Sequence, residues 1–323
     1  MRAKNRPPSL AFRDPPVGVK QPPVPVVRGP PVPVVRGRFG ELRTIDLLWV
    51  ITHNESMTDA AHAEVLERLN FAKMIAFDAG KLVMKYYGNL SSYDHKGKVD
   101  LVSEADKASE ALITDALSSR FAGDAILGEE TGVSEGESGY RWLVDPLDGT
   151  TNFVHAHPMF AISFGLESKQ KTVAGVVYIP TTRELFYACR GGGAFGPGGS
   201  IAVSSTTALG ASLVATGLPY NRREIVDVLL EDWRRSILNS QGTRRMGAAA
   251  IDLVYLACGR YDGFWERGLK PWDTSAGALI IEEAGGAVTD FSGGEFSPYG
   301  DRIAASNGLI HDELLKTLFE GRT

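Results

Sequence analysis

The sequence predicts a layered α/β fold that contains mixed sheets, and three observations lead to this prediction. The chain has 323 residues, of which 43% are hydrophobic and 23% are charged, as is typical of a folded globular protein. From residue 57 onwards, segments with a helical apolar period alternate with short strand-like runs. Three such runs also follow one another directly, and consecutive strands mixed with strand–helix units indicate a mixed sheet covered by helices.

The first predicted helix follows Met57, and either Thr58 or Asp59 can cap it. Its apolar residues recur with a period of 3.6, which indicates one buried face. They are Ala61, Val65, Leu66, Leu69, Ala72, Ile75, Ala76, Ala79, Leu82 and Val83. We expect the folded protein to begin near Met57, and we hypothesise that translation also starts there.

The remaining elements are predicted from apolar runs and from the Gly, Pro and Asp residues that separate them. Strands are expected at Asp100–Ser103, Ala125–Leu127, Tyr140–Asp145, Ala161–Ser168, Thr172–Ile179, Glu184–Cys189, Leu213–Gly217, Asp262–Glu266, Val288–Asp290 and Ile303–Ser306. Helices are expected at about Glu104–Arg120, Arg222–Leu238, Met246–Cys258, Asp273–Ala284 and His311–Phe319. The Gly191–Gly196 run fits the pattern G-x-G-x-x-G, but no helix follows it, so we predict a hairpin loop and not a dinucleotide site.

The first 56 residues form a tail of different composition. Residues 1–40 hold 10 of the 17 prolines, eight Lys or Arg residues and one acidic residue, and PPVPVVRG occurs twice in tandem at 22–29 and 30–37. Such a segment favours extended polyproline II structure or disorder. It could be a ligand for proline-recognising domains, a targeting peptide or a dispensable leader.

Charge and cysteine content exclude several classes of partner. The net charge of -5 does not favour nucleic acid or an anionic membrane. No apolar run reaches the ~18–20 residues that a membrane-spanning helix needs. The two cysteines, Cys189 and Cys258, do not form a disulfide framework, which favours a reducing compartment such as the cytoplasm.

The most informative segment is WLVDPLDGTTNF, from Trp142 to Phe153. We expect Asp145 to end a buried strand, since Pro146 prevents the strand from continuing. The following Pro-Leu-Asp-Gly sequence is typical of a tight turn that places Asp148 on the same side as Asp145. Thr150 and Thr151 can cap a helical turn there. Two carboxylates and a carbonyl suit Mg²⁺, and backbone N–H groups at a helix start suit a phosphate.

Two further acidic segments are candidates for the same site. GEE, Gly128 to Glu130, follows an apolar strand-like step, although a surface turn would give the same pattern. PWD, Pro271 to Asp273, precedes a helix, where Asp273 could also be a plain N-cap.

These three motifs, in this order and at these separations, resemble the inositol monophosphatase family. VDLVSEAD at 99–106 and EEAGG at 282–286 also match the family pattern, and the similarity covers roughly residues 60–320. The resemblance implies an αβαβα sandwich of the sugar-phosphatase type, with residues 57–323 as the catalytic domain. It implies hydrolysis of a phosphate monoester, most often inositol 1-phosphate, by water activated with Mg²⁺ and without a phosphoenzyme.

The resemblance also implies a role for each matching residue. The metal ligands would be Glu129, Asp145, the Leu147 carbonyl, Asp148 and Asp273, with Asp106 as an outer carboxylate for a weaker third metal. Glu129 and Thr150 would orient the attacking water. Substrate contacts would come from Asp148, Gly149, Thr150, Ala249, Glu266 and Asp273.

Family membership would further imply a homodimer, lithium sensitivity and a small phosphorylated polyol or sugar as substrate. Two alternatives stay open at this point. A related enzyme could act on fructose 1,6-bisphosphate, histidinol phosphate or a 3′-phosphonucleotide. A protein of the same fold could also bind a phosphate compound without catalysis.

Overall fold

The computed structural model describes residues 59–89, 93–95 and 101–321. The helices in these ranges are α1 (Asp59–Tyr86), α2 (Glu104–Arg120), α3 (Thr150–Val154), α4 (Val226–Asn239), α5 (Ala249–Ala257), α6 (Pro271–Glu283) and α7 (His311–Phe319). The strands are β1 (Tyr93–His95), β2 (Leu101–Ser103), β3 (Ala125–Gly128), β4 (Gly132–Ser134), β5 (Tyr140–Asp148), β6 (Ala161–Ser168), β7 (Lys171–Ile179), β8 (Glu184–Cys189), β9 (Ala194–Gly196), β10 (Gly199–Ser200), β11 (Leu213–Thr216), β12 (Gly242–Arg244), β13 (Gly263–Arg267), β14 (Ala287–Thr289) and β15 (Arg302–Ser306).

Two mixed sheets dominate the described residues, beside a small β1–β2 ribbon. The larger sheet has eight strands in the order β10-β9-β8-β7-β6-β5-β3-β4, and the smaller has five in the order β12-β11-β13-β15-β14. In the larger sheet β3 pairs parallel to β5, whereas the other pairs are antiparallel. In the smaller sheet β11 pairs parallel to both β12 and β13, and β15 pairs antiparallel to its neighbours. The predicted mixed sheets are therefore confirmed.

Three apolar cores hold five layers of helices and sheets together. The first core joins α1 and α2 to one face of the larger sheet, the second places α5 and α6 between the two sheets, and the third joins α7 to the far face of the smaller sheet. Alternate residues of β7 show the period of two, because Val176 belongs to the first core and Val177 to the second. Burial on both faces makes these strands read as near-continuous apolar runs. This is the predicted αβαβα arrangement.

Helix α6 lies unusually close to the larger sheet because two strand positions have no side chain. A Cβ atom on Gly175 of β7 would lie 2.9 Å from the Cα of Ala276. A Cβ on Gly165 of β6 would lie 2.1 Å from the Ser275 hydroxyl. Glycine permits such close approach of one backbone to another element. The first turn of α6, which carries Asp273, is thereby held against the ends of β5 and β6.

Most predicted elements are confirmed, with differences at their ends. Helix α4 begins at Val226 and not at Arg222, and α5 begins at Ala249 and not at Met246. The Gly191–Gly196 run belongs to an antiparallel hairpin, as predicted. Its first residues form the loop after β8 and its last three form β9. Its loop is held by Glu283, which accepts hydrogen bonds from the Gly191 and Gly193 amides. The ends of helices and strands are harder to predict than their existence, because the residues at an end add few buried contacts.

Some predictions lie outside the described residues. These are the proline-rich tail, the start near Met57, the Thr58 cap and the Asp100 end of the first predicted strand. Within the described ranges, none of the helices combines the length and the apolar character that crossing a membrane requires. Cys189 and Cys258 are both free thiols.

Candidate active site

Strand β5 carries two of the predicted acidic ligands, in a geometry that differs from the prediction. The strand does not stop at Asp145 but continues through Pro146 to Asp148, and its pairing with β6 is irregular between the two aspartates. The irregularity accommodates Pro146, since a bulged position needs no ladder N–H. The Leu147 amide instead donates to the Asp145 carboxylate at 2.9 Å. The local kink turns both carboxylates towards the same cavity.

The chain leaves β5 at Gly149, which adopts a left-handed conformation with φ of 90°. Helix α3 begins at Thr150 without a side-chain cap, so the predicted Thr150 or Thr151 cap is wrong. A Cβ on Gly149 would lie 2.9 Å from the Met159 carbonyl. Both the backbone angle and the close approach therefore require glycine here.

Glu129 and Asp273 reach the same cavity from two other elements. Glu129 lies in the connection between β3 and β4, which pair as a hairpin. Asp273 is the third residue of α6, whose N-cap is Lys270, so the alternative of Asp273 as N-cap is wrong. The Asp273 carboxylate accepts a hydrogen bond from the Lys270 amide at 2.7 Å. Proline at the first helical position suits this start.

Burial and the neighbouring carboxylates raise the pKa values of Asp145, Asp148 and Asp273. Burial, followed by the charges of Glu129, Asp148 and Asp273, raises the pKa of Asp145 well above its ordinary value. Burial raises the pKa of Asp148 to about 7, although the Ala250 amide opposes the shift by donating to its carboxylate at 2.7 Å. Burial and the neighbouring Asp148 raise the pKa of Asp273 to about 7. Such mutual repulsion is relieved when a cation is bound between the acids.

Thr150 and Asp106 form a buried hydrogen-bonded pair beside these acids. The Thr150 hydroxyl donates to Asp106 Oδ1 at 2.8 Å, and the other oxygen of Asp106 accepts from the Ser103 amide at 2.9 Å. The hydroxyl also lies 3.2 Å from the Leu147 carbonyl. With its proton directed at Asp106, the Thr150 oxygen retains lone pairs that can accept a hydrogen bond from a ligand.

The cavity has a volume of about 360 Å³, which suits a small ligand. Nine of the ten predicted site residues line it, and Asp106 lies behind Thr150. The nine are Glu129, Asp145, Leu147, Asp148, Gly149, Thr150, Ala249, Glu266 and Asp273. Glu266 reaches the cavity from β13. Burial raises the pKa of Glu266 to about 8, although Arg245 opposes the shift.

Sequence reasoning missed four charged residues that line the same cavity. Arg222, Arg245 and Lys270 bring positive charge, and Asp252 is only 1% exposed. Within the described residues, Asp252 Oδ1 has no hydrogen-bond partner. Asp252 is the fourth residue of α5, which begins at the predicted site residue Ala249, so an acid within a very apolar helix was the available signal. Arg222, Arg245 and Lys270 lie in loops, and no sequence pattern pointed to them.

The donor set fits a hard divalent cation. The predicted ligands are carboxylate and carbonyl oxygens, which Mg²⁺ prefers, and they contain neither thiolate nor imidazole. Among the described residues, no three acidic, His or Cys side chains are already gathered as a closed coordination cluster. The cavity is instead lined by Glu129, Asp145, Asp148 and Asp273, and the pKa values of the three aspartates are raised. This is the arrangement that a cation would draw together.

Comparison with known proteins identifies the family. The model of the inositol monophosphatase family matches residues 64–322. The chain belongs to the inositol monophosphatase family. It is therefore a phosphoric monoester hydrolase, as predicted.

Individual relatives agree in extent but carry different names. An inositol-1-monophosphatase of Mesorhizobium japonicum is 42% identical over 253 residues, covering 77% of this chain and 95% of that protein. A Nus factor SuhB of Pseudomonas aeruginosa is 42% identical over 258 residues, covering 77% and 95%. The crystal structure of the extragenic suppressor protein suhB from Bartonella henselae superposes with a TM-score of 0.76 at 41% identity, covering 79% of this chain and 99% of that one.

Proposed function

We propose that this enzyme hydrolyses inositol 1-phosphate to inositol and phosphate in a Mg²⁺-dependent reaction. The observation that carries the proposal is the convergence of Glu129, Asp145, Asp148 and Asp273 on one cavity that Glu266 also lines. The first four acids fit a cation with a phosphate ester, and the Glu266 carboxylate can accept hydrogen bonds from a polyol. The names of several relatives agree with this substrate.

Glu129, Asp145, the Leu147 carbonyl, Asp148 and Asp273 would hold the metal. When bound there, Mg²⁺ supplies positive charge for the phosphoryl oxygens and makes water more acidic. Gly149, Thr150 and Thr151 at the start of α3 line the same cavity, and their amides could donate to phosphate oxygens. We propose that Asp106 acts mainly by orienting Thr150 and not as a ligand of a third metal. Its carboxylate accepts the hydrogen bond of the Thr150 hydroxyl and so directs that proton away from the cavity.

Thr150 and Glu129 can then orient the attacking water and assist its deprotonation. The Thr150 oxygen can accept a hydrogen bond from water, and its own proton is already held by Asp106. Asp148 is held by the Ala250 amide, so the start of α5, with Ala249, is fixed relative to the acids.

A second candidate substrate is a sugar bisphosphate such as fructose 1,6-bisphosphate. Arg222, Arg245 and Lys270 line the cavity, and their positive charges could bind a second phosphate group. Histidinol phosphate and 3′-phosphonucleotides have no comparable observation in their favour.

Further parts of the proposal rest on the family and on composition. We infer a homodimer that is inhibited by lithium and located in the cytoplasm. The two free thiols are consistent with a reducing compartment.

The test is phosphate release from inositol 1-phosphate, fructose 1,6-bisphosphate, histidinol phosphate and 3′-phosphoadenosine 5′-phosphate, with Mg²⁺ or with EDTA. We expect metal-dependent turnover that is fastest on inositol 1-phosphate. Asp145→Asn should lower kcat/KM by about 10³-fold or more, because it removes one central ligand. Asp115→Asn on the exposed face of α2 is the matched control and should leave turnover unchanged.

Faster turnover of another ester would change the substrate and retain the mechanism. Full turnover by Asp273→Asn would contradict the assigned metal site, and no metal-dependent release from any ester would contradict the proposed function.

A further inference from the structure

The hairpin that carries Glu129 lies at an edge of the larger sheet. Gly128 pairs with Gly132, so residues 129–131 form a three-residue loop between β3 and β4. Strand β4 is the last strand of the sheet and has only three residues, none of them buried. Sheet pairing by itself therefore gives the tip of this hairpin little support.

The electrostatic environment makes support necessary. The Glu129 charge faces the carboxylates of Asp145 and Asp148, and like charges in a buried site repel strongly. Before a cation binds, this repulsion acts to push the edge hairpin away from β5. Some other contact must hold Glu129 in place if the site is to be formed in advance.

Glu110 of α2 makes that contact. Its side chain is 1% exposed, and its Oε2 accepts a hydrogen bond from the Glu130 amide at 2.7 Å. Its Oε1 accepts from the Thr131 amide at 2.8 Å and from the Thr131 hydroxyl at 2.5 Å. One carboxylate thus binds both backbone amides that directly follow Glu129. Charge-assisted bonds of this kind are stronger than neutral ones.

Gly128 is adapted to the same contact. A Cβ atom there would lie 2.2 Å from Glu110 Oε1 and 2.9 Å from its Cδ. Only glycine lets the carboxylate pack against the hairpin at this position. The glycine of the GEE motif is thereby explained by Glu110 and not by the metal.

The same face of α2 holds other parts of the site. Residues three and four apart share a helix face, and Ser109 and Glu110 follow Asp106 at three and four positions. Asp106 accepts from Thr150, and the Ser109 hydroxyl donates to the Pro146 carbonyl at 2.9 Å. Helix α2 therefore connects the Glu129 hairpin, the bulge of β5 and the start of α3 as one rigid support.

We propose that Glu110 is a positioning residue that sets the Mg²⁺ affinity of the site by holding the Glu129 hairpin against β5. This inference rests on the proposed function, because it assumes that Glu129 is a metal ligand. Glu110 does not line the cavity and does not touch the substrate. It acts by placing a ligand in its bound position before the cation arrives, as partners behind metal ligands do.

The test is Glu110→Gln, which preserves the side-chain volume but replaces one acceptor oxygen with an NH₂ group that faces a backbone N–H. Mg²⁺ binding to EDTA-stripped protein is measured by titration calorimetry. We expect Mg²⁺ to bind about 10–100-fold more weakly. Turnover should recover towards the wild-type kcat at saturating Mg²⁺. In the metal-free protein, the Glu130 and Thr131 amides should exchange hydrogen about tenfold faster or more.

Two further variants separate positioning from a loss of stability. Ile113 lies on the same helix and is fully buried. The variant Ile113→Val should therefore lower Tm and leave Mg²⁺ affinity unchanged. Thr131→Val is at an exposed position and removes only one of the three bonds to Glu110, so it should weaken Mg²⁺ binding by about threefold and fold normally. If Glu110→Gln does not fold, Thr131→Val decides the question.

The proposal is overturned if the variants bind Mg²⁺ as tightly as the wild-type protein, or if Ile113→Val weakens binding as much as Glu110→Gln. Either result leaves the proposed function intact. Failure of the wild-type protein itself to bind Mg²⁺ would overturn both.

Discussion

Single residues in this cavity favour function over stability. The cavity buries Asp145, Asp148 and Glu266 and partly buries Glu129 and Asp273. Their shared charge is a cost to the folded state unless a cation or protons neutralise it. Glu266 shows the effect most plainly, because burial raises its pKa to about 8. Gly217 makes this burial possible, since a Cβ there would lie 2.0 Å from the Glu266 carboxylate.

Glu266→Gln should change how the stability of the metal-free protein depends on pH. The folded pKa of Glu266, about 8, lies above the value of 4.5 for an unperturbed glutamate, so the folded state binds more protons between these values. Wild-type stability should therefore fall as pH rises from about 4.5 to 8. Glutamine removes this dependence, and at pH 9 the variant should be more stable by about 2–4 kcal/mol. Denaturant unfolding in EDTA at several pH values checks this, and parallel curves for the two proteins would contradict it.

At the scale of elements, buried polar contacts fix how helices meet strands. Asp124, just before β3, accepts two bonds from Arg68 of α1, both at 2.9 Å. It also accepts from the Ser138 hydroxyl at 2.7 Å and the Trp142 indole at 3.0 Å. The Arg68 guanidinium lies 4.0 Å from the centre of the Tyr140 ring. One carboxylate thus connects α1, β3 and β5 far from the cavity.

Asp124→Ala should lower the free energy of unfolding by about 3–5 kcal/mol, because it leaves the buried Arg68 charge without its partner. Denaturant unfolding measures the change. Glu67→Ala is the matched control, since Glu67 pairs with Arg120 at an exposed position and should cost within about 1 kcal/mol. Equal losses for the two variants would show that burial does not determine the strength of these pairs.

Gly175→Ala tests how closely α6 must approach the larger sheet. The new Cβ would meet the backbone of Ala276, so α6 has to move, and Asp273 moves with its first turn. We expect a loss of about 1–3 kcal/mol in unfolding free energy and weaker Mg²⁺ binding. Calorimetric titration and denaturant unfolding measure the two effects.

Gly198→Ala is the control for that variant. A Cβ at Gly198 meets no atom within 4 Å, so stability should change by less than about 0.5 kcal/mol. Unchanged metal affinity in Gly175→Ala would mean that Asp273 is held independently of the sheet.

At the scale of the whole molecule, the site is assembled from separate parts of the chain. Its acids come from the β3–β4 hairpin, from β5 and from the first turn of α6. A cation that binds all of them therefore connects the larger sheet to the helical layer between the sheets. Binding to the folded state alone must raise the stability of the whole domain.

Mg²⁺ should therefore raise Tm. At a free concentration of 100 times its Kd, the gain is about 2.7 kcal/mol, which corresponds to several degrees for a domain of this size. Differential scanning calorimetry with Mg²⁺ and with EDTA measures the shift. Asp145→Asn should lose most of it, and an equal shift in that variant would place the bound ion elsewhere.

The sequence by itself determined the order of elements, the mixed sheets and the acidic motifs that identify the family. These features are local or periodic, so apolar spacing and turn residues specify them. The continuation of β5 through Pro146 was not predicted, because a proline is tolerated in a strand only when pairing with β6 is irregular at that point.

Only the tertiary structure decided how the motifs meet. The roles of Glu110 and Arg245 could not be predicted, since each depends on elements that are distant in sequence. Glu110 matters because α2 passes behind the β3–β4 hairpin, and Asp273 reaches Asp145 because Gly165 and Gly175 let α6 lie against the sheet. Residue types are written in the sequence, but distances between carboxylates arise from packing, and those distances set their charges and their affinity for a cation.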